Sequence, residues 1–295
     1  MEHKEIDHIT GTETTGHSWD GDLKELNTPL PKWWLTVFWI TIIWGVAYSV
    51  VYPHWIMGTQ VVKGTFGWSS RGDVHTALEA AKTSMGPQFA KLEKASLADI
   101  SSDADLSRFA QRAGEAVYGD NCVACHGSGA NGVRNGSGYP NLVDKDWLWG
   151  GKLEDIIETV RVGIRSGHDE ERTNTMAAYG DDETLNAAQI KNVAGYVLSL
   201  SGGSLAGADL AAGKQIYMEE AACNACHGDD GKGVKEIPGA PNLTDRTWLF
   251  GGNAEQIVAT ITHGRAGEMP AWDKRLTAAQ IKAVAVYVHS RGGGQ

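Results

Sequence analysis

From Trp33 to Val62 the chain carries no Asp, Glu, Lys or Arg, and Trp33–Tyr52 is a predominantly apolar run of 20 residues. A run of about 20 residues spans the hydrocarbon core of a bilayer as one helix. Trp33, Trp34, Tyr52 and Trp55 lie near its two ends, where an aromatic belt sits. The pattern beyond it is different. Apolar positions recur at helical spacing over 107–119 and 208–220, Lys152–Val162 and Ala254–Thr262, and Leu185–Leu200 and Leu276–Ser290. Asn186 and Thr277 are good N-caps for the last pair. Gly and Pro fill the stretches between, so the chain is expected to be mainly α.

These segments come in pairs because the second half of the chain repeats the first. Pro140-Asn141-Leu142 recurs as Pro241-Asn242-Leu243, Trp147 as Trp248, and Gly150-Gly151 as Gly251-Gly252. Gly114-x-x-x-Tyr118 matches Gly213-x-x-x-Tyr217. The first copy has ten extra residues between Gly163 and Leu185. The expected organisation is an N-terminal segment 1–32, a membrane helix 33–56, a linker 57–106, and two related domains, 107–203 and 204–295. Met85-Gly86-Pro87 is expected to interrupt a partly helical linker, and His54 to be an interfacial polar residue.

All four cysteines fall in two copies of Cys-x-x-Cys-His, at Cys122, Cys125 and His126, and at Cys223, Cys226 and His227. This is the attachment motif of a c-type haem: two thiols join the porphyrin and the histidine reaches the iron. A zinc ribbon would need pairs about 15–20 residues apart, and a thioredoxin-like pair would not explain a histidine after both. Two covalently bound haem c groups are the expected cofactors. A helix before the motif, a loop-rich middle and a closing helix resemble the class I cytochrome c fold.

The sixth iron ligand follows by elimination. Met176 is the sole methionine between Cys125 and the second repeat, and Met269 the sole one after Cys226. A thioether ligand favours reduced iron. His168 and His263 lie near these loops and are the alternative ligands. Pro140 and Pro241 are expected to offer a backbone carbonyl to the ligand histidine's other nitrogen.

Charge bears on partners. The first 32 residues hold seven acidic residues and three lysines, and the remainder 29 acidic against 23 basic, a net of −6. Such a bias suits a basic electron carrier and gives no sign of nucleic-acid binding. Lysines flank the membrane segment on both sides, so charge leaves orientation open. Haem attachment on the periplasmic side of bacterial membranes places the C-terminal domains outside and the N-terminus in the cytoplasm.

The strip Trp19-Asp20-Gly21, then Asn27-Thr28-Pro29-Leu30-Pro31 and Trp33-Trp34, resembles the N-terminal signature of the CcoP/FixP family, the dihaem subunit of cbb3-type cytochrome c oxidase. The likeness covers tail, anchor, linker and both haem domains. It implies an electron-transfer subunit, not an enzyme by itself, that receives electrons from a donor cytochrome c. They would pass to the monohaem cytochrome c subunit and the catalytic haem–copper subunit of a proton-pumping oxidase. It also implies exchanged ligands, with Met269 on the first haem and Met176 on the second, and the ten extra residues as the reach Met176 needs. Local pairing, His126 with Met176 and His227 with Met269, is equally workable by length. Rival readings are a membrane-anchored dihaem carrier serving another oxidase or reductase, a dihaem peroxidase, and an alcohol dehydrogenase cytochrome subunit.

Overall fold

The computed structural model describes residues 4–53, 55–132 and 136–294, so His54 lies outside the described residues. The chain divides into two compact units, Met1–Thr83 and Ser84–Gln295.

The first unit opens with an antiparallel hairpin, β1 (Thr14–Trp19) and β2 (Leu23–Leu26), that periodicity did not announce. Its turn is the Trp-Asp-Gly strip: Asp20 and Gly21 both take left-handed backbone, φ 51° and 87°, a hand that matches the twist of paired strands. α1 (Lys32–Val51) follows, 20 residues with no buried member. Trp39, Ile43, Trp44 and Val46 are all exposed around its circumference. An all-round apolar helix of about 30 Å belongs in a bilayer core. It ends five residues before the expected Ile56. Tyr52 is already extended (φ −109°, ψ 158°), as the residue preceding Pro53 must be. β3 (Ile56–Met57) and β4 (Gln60–Val61) form a second short hairpin.

α2 (Ser70–Lys94) belongs to both units and runs through Pro87. The expected interruption at Met85-Gly86-Pro87 is absent. A proline removes one helical hydrogen bond, and here the helix is largely exposed, so water can take the freed carbonyl. Nor are residues 92–106 a stand-off linker. Leu92, Ile100 and Leu106 are buried with Ala110, Ala283 and Val286. Lys282 closes the end of α2 by donating to the carbonyls of Glu93 (2.6 Å) and Ala95 (2.8 Å), where a cation is favoured. α3 (Leu97–Ser102) starts on a Ser96/Asp99 capping box.

The rest of the second unit is α4 (Ala104–Asn121), α5 (Val123–His126), α6 (Leu153–Val162), α7 (Ala187–Leu200), α8 (Leu210–Gln215), a π-helical turn at Ile216–Glu220, α9 (Asn224–His227), α10 (Ala254–His263) and α11 (Ala278–Val288). Asn186 and Thr277 cap α7 and α11 as expected, each in a capping box with Gln189 or Gln280. The π-turn has a sequence cause. Tyr118 lies four residues before Cys122, whereas Tyr217 lies six before Cys223. The extra length is taken up by the π-turn and by the link after it, where Ala222 adopts φ 47°.

Packing does not follow the two sequence repeats. α11, the last helix of the second copy, lies on α4 and α6 of the first. α7, the last helix of the first copy, lies on α8 and α10 of the second. One core joins Val117, Tyr118, Ile156 and Val160 to Ile281, Val284 and Val288. The other joins Ile190, Val193 and Val197 to Ile216, Tyr217, Ile257 and Ile261. Every residue of this second core falls within 173–268; every residue of the first falls outside it. The repeated Gly-x-x-x-Tyr explains the crossings. A Cβ at Gly114 would collide with the carbonyl of Ala283, and one at Gly213 with the carbonyl of Asn192.

A candidate haem site shared by the two repeats

Both Cys-x-x-Cys-His motifs form one-turn helices, α5 and α9, closed by Gly127 and Gly228 with identical backbone angles (φ 77°, ψ 157°). A tyrosine fixes each closure. The Tyr118 hydroxyl donates to Gly127 O (2.8 Å) and the Tyr217 hydroxyl to Gly228 O (2.7 Å). Burial pushes both phenols' pKa values well up, so they stay donors.

The histidines face a common arrangement. His126 Nδ1–H donates to Pro140 O at 3.3 Å, and His227 Nδ1–H to Pro241 O at 3.0 Å. The carbonyl fixes the tautomer and leaves Nε2 with a free lone pair. Burial lowers both imidazole pKa values, the carbonyl bond opposing it in part, which favours the neutral, ligating form. Burial also pushes the Cys122 and Cys223 thiols up to about 11.

Both motifs open into one continuous cavity, about 2740 Å³ of space free of atoms, counting its open mouth. Its wall includes Cys122, Cys125 and His126 as well as Cys223, Cys226 and His227, together with Met176 and Met269. Leu142, Ile156, Val160, Leu243, Ile257 and Val284 make it predominantly apolar. Thiols, neutral imidazoles and thioethers around an apolar hollow are the donor set that suits haem. The wall is drawn from both cores of the second unit, called below the first body (84–172 with 269–295) and the second body (173–268).

The methionines sit across the repeat boundary. Met269 packs against the core that also carries Cys122, and Met176 against the core that carries Cys223. Each methionine strand is tied by a two-way bridge to the turn after a helix of the other copy. Ile164 N–H donates to Met269 O and Met269 N–H to Ile164 O, both 2.9 Å; Met176 and Arg265 exchange equivalent bonds at 3.0 and 3.2 Å. Gly163 (φ +72°) and Gly264 (φ +65°) precede these bridges, and a Cβ at either would strike the carbonyl of Met269 or Met176. Sequence reading missed both glycines. Their shared position after the α6 and α10 repeats was the available signal.

The ten extra residues do not supply reach. Ile164 pairs with Arg172, so the excursion returns to its origin. It packs on the first body instead: His168 Nε2 lies 3.1 Å from Asp273 Oδ2, and Arg172 donates to Trp149 O and Asp155 O. His263 pairs with Asp181 (2.9 Å). Neither His168 nor His263 lines the cavity.

Two family models match this chain. One, described as the N-terminal domain of cytochrome oxidase-cbb3, FixP, covers residues 11–59. The other, described as cytochrome C oxidase, cbb3-type, subunit III, covers 109–197 and again 208–288. The chain belongs to the FixP/CcoP family of cbb3-type oxidase subunits. A cbb3-type cytochrome c oxidase subunit FixP of Bradyrhizobium sp. (strain ORS 278) is 52% identical over 295 residues, 100% of this chain and 99% of that protein. A FixP subunit of Azorhizobium caulinodans is 46% identical over 99% of this chain and 97% of its own length. A CcoP subunit of Cereibacter sphaeroides is 46% identical over 96% of this chain and 95% of its own. Membership gives the chain haem c binding, a role in electron transfer within an oxidase, and membrane association, for which α1 is long and apolar enough.

Proposed function

We propose that this subunit holds two haem c groups, through Cys122 and Cys125 and through Cys223 and Cys226. His126 and Met269 would ligate the first iron, and His227 and Met176 the second. The observation that carries this reading is the single cavity in which each methionine shares a core with the other repeat's cysteines. When bound, haem iron supplies a one-electron couple. The chain's own contribution is to orient each histidine through a proline carbonyl, keep the hollow apolar, and occupy both axial positions. A filled coordination sphere suits outer-sphere electron transfer and not oxygen chemistry, so the subunit would not act as an enzyme alone.

Electrons would enter from a donor cytochrome c and leave toward the monohaem and catalytic subunits. Charge favours entry at the second haem. Residues 173–268, the body around Cys223, hold 12 acidic against 6 basic residues, a net of −6. Residues 84–172 with 269–295 hold 15 against 14, a net of −1. The loop before the last helix shows the contrast locally: Asp182-Glu183-Thr184 on the second body stands where Asp273-Lys274-Arg275 stands on the first. A cationic donor is steered to the former.

Two measurements test the reading. Acid–acetone extraction of denatured protein should leave two haems per chain, falling to one when Cys122 and Cys125 are both replaced by Ser. Recovery of one or none from the unaltered chain would refute the double attachment. The orientation proposed is N-terminus in the cytoplasm and haem domains in the periplasm. Protease added to cells with opened outer membranes should therefore release the segment after Val62; protection would reverse the topology.

A further inference from the structure

Four charged side chains line the cavity besides the two motif histidines: Asp146, Arg165, Arg265 and Glu268. The two arginines flank the methionine bridges one position out of register, because Arg265 occupies the repeat position of Ile164. Arg165 follows Ile164, whose peptide bridges Met269, and Arg265 itself bridges Met176. Among the described residues neither forms an ion pair. Arg165 spends its guanidinium on backbone carbonyls, donating to Gly267 O and Asn174 O. Burial holds its pKa below the usual range, against weaker support from Glu171 and Glu268. Arg265 donates Nε–H to Thr260 Oγ1 (3.1 Å) and stacks over the Phe250 ring at 4.7 Å. Its terminal nitrogens donate to no described group.

A cation facing a low-dielectric hollow without a directly paired carboxylate is costly. The fold keeps two of them beside the methionine strands, with Glu171 and Glu268 acting on Arg165 only from beyond ion-pair contact. Haem brings a pair of propionate carboxylates into that hollow. We infer that Arg165 and Arg265 are the residues that receive the haem propionates, tying each carboxylate to a methionine loop and holding the irons toward the reduced state. Guanidinium suits this role because its fork meets carboxylate oxygens with two parallel donors and keeps its charge. A positive charge near the iron stabilises the ferrous form over the ferric by Coulomb interaction, beyond what the thioether provides. The inference rests on the haem reading above and assigns roles to two residues that reading does not use.

The test is spectroelectrochemical titration of the c-type haems in the purified oxidase complex containing Arg165→Gln, Arg265→Gln, Arg165→Lys or Arg265→Lys. Each Gln variant should retain both haems and lower one midpoint potential, while the matching Lys variant restores most of the loss. Unchanged midpoints in fully haem-loaded Gln variants would overturn the inference. So would equal shifts in Lys and Gln, which would report loop displacement and not charge. If the Gln variants fail to assemble, redox infrared difference spectra of propionate-labelled haem in the Lys variants decide. A moved carboxylate band supports contact, and an unmoved one refutes it. Absence of covalent haem from the unaltered chain would instead sink the underlying haem reading.

Discussion

Residues 173–268, produced alone in a haem-attaching host, should fold as a one-haem cytochrome with a sulfur–iron charge-transfer band, whereas residues 107–203 should not. The fragment 173–268 contains the Met176 loop, α7, α8, the second motif and α10, and with them the whole of one core. The fragment 107–203 has the extent of a sequence repeat but separates α4 from α11 and α7 from α8. It would leave Val117, Tyr118, Val193 and Val197 without the surfaces that bury them. Each such side chain gains about 1.5–3 kcal/mol on burial, and several are lost at once. A small domain's net stability is only about 5–15 kcal/mol, so 107–203 should collapse or aggregate. A normal charge-transfer band from 107–203 would mean that local pairing of His126 with Met176 is available, and the exchanged arrangement would fall.

The same exchange marks the limit of what the residues disclosed. Local elements were legible because caps and periodicity act over a few residues: Asn186 and Thr277 begin α7 and α11 where expected, and the proline carbonyls meet the histidines as expected. The membrane helix was legible because its requirement is length and apolarity alone. Which copy's helix lies on which motif was not. The two copies carry equivalent apolar faces, so α7 and α11 satisfy either partner by pattern. The crossings rest on close approaches at glycines that both copies carry, and a glycine gives no periodic signal. Gly114 against Ala283, Gly213 against Asn192, and Gly163 and Gly264 against the methionine carbonyls are visible only once the chain is folded. The linker misled for another reason. Pro87 is a helix breaker where its lost bond is buried, and here it is not.

Gly163→Ala and Gly264→Ala should therefore damage the site from a distance, and each should damage the haem of one body. Two effects add at these positions. An L-residue at φ near +70° with ψ near 180° costs about 1–3 kcal/mol, and the new Cβ would meet a carbonyl oxygen whose strand is already held by paired bridge hydrogen bonds. Overpacking of this kind adds about 1–3 kcal/mol. Gly167 serves as the control without a clash: it has φ +79° with nothing within 4 Å of where a methyl would stand, so Gly167→Ala meets positive-φ strain and no carbonyl. Denaturant unfolding should rank Gly167→Ala well above Gly163→Ala and Gly264→Ala in stability. The charge-transfer band should then identify the partners. In Gly163→Ala the strand displaced is that of Met269, so the band of the haem on His126 should weaken. In Gly264→Ala the strand is that of Met176, and the haem on His227 should respond. Equal stability of the Gly163 and Gly167 variants, with both bands intact, would show that the bridges do not hold the methionines in place.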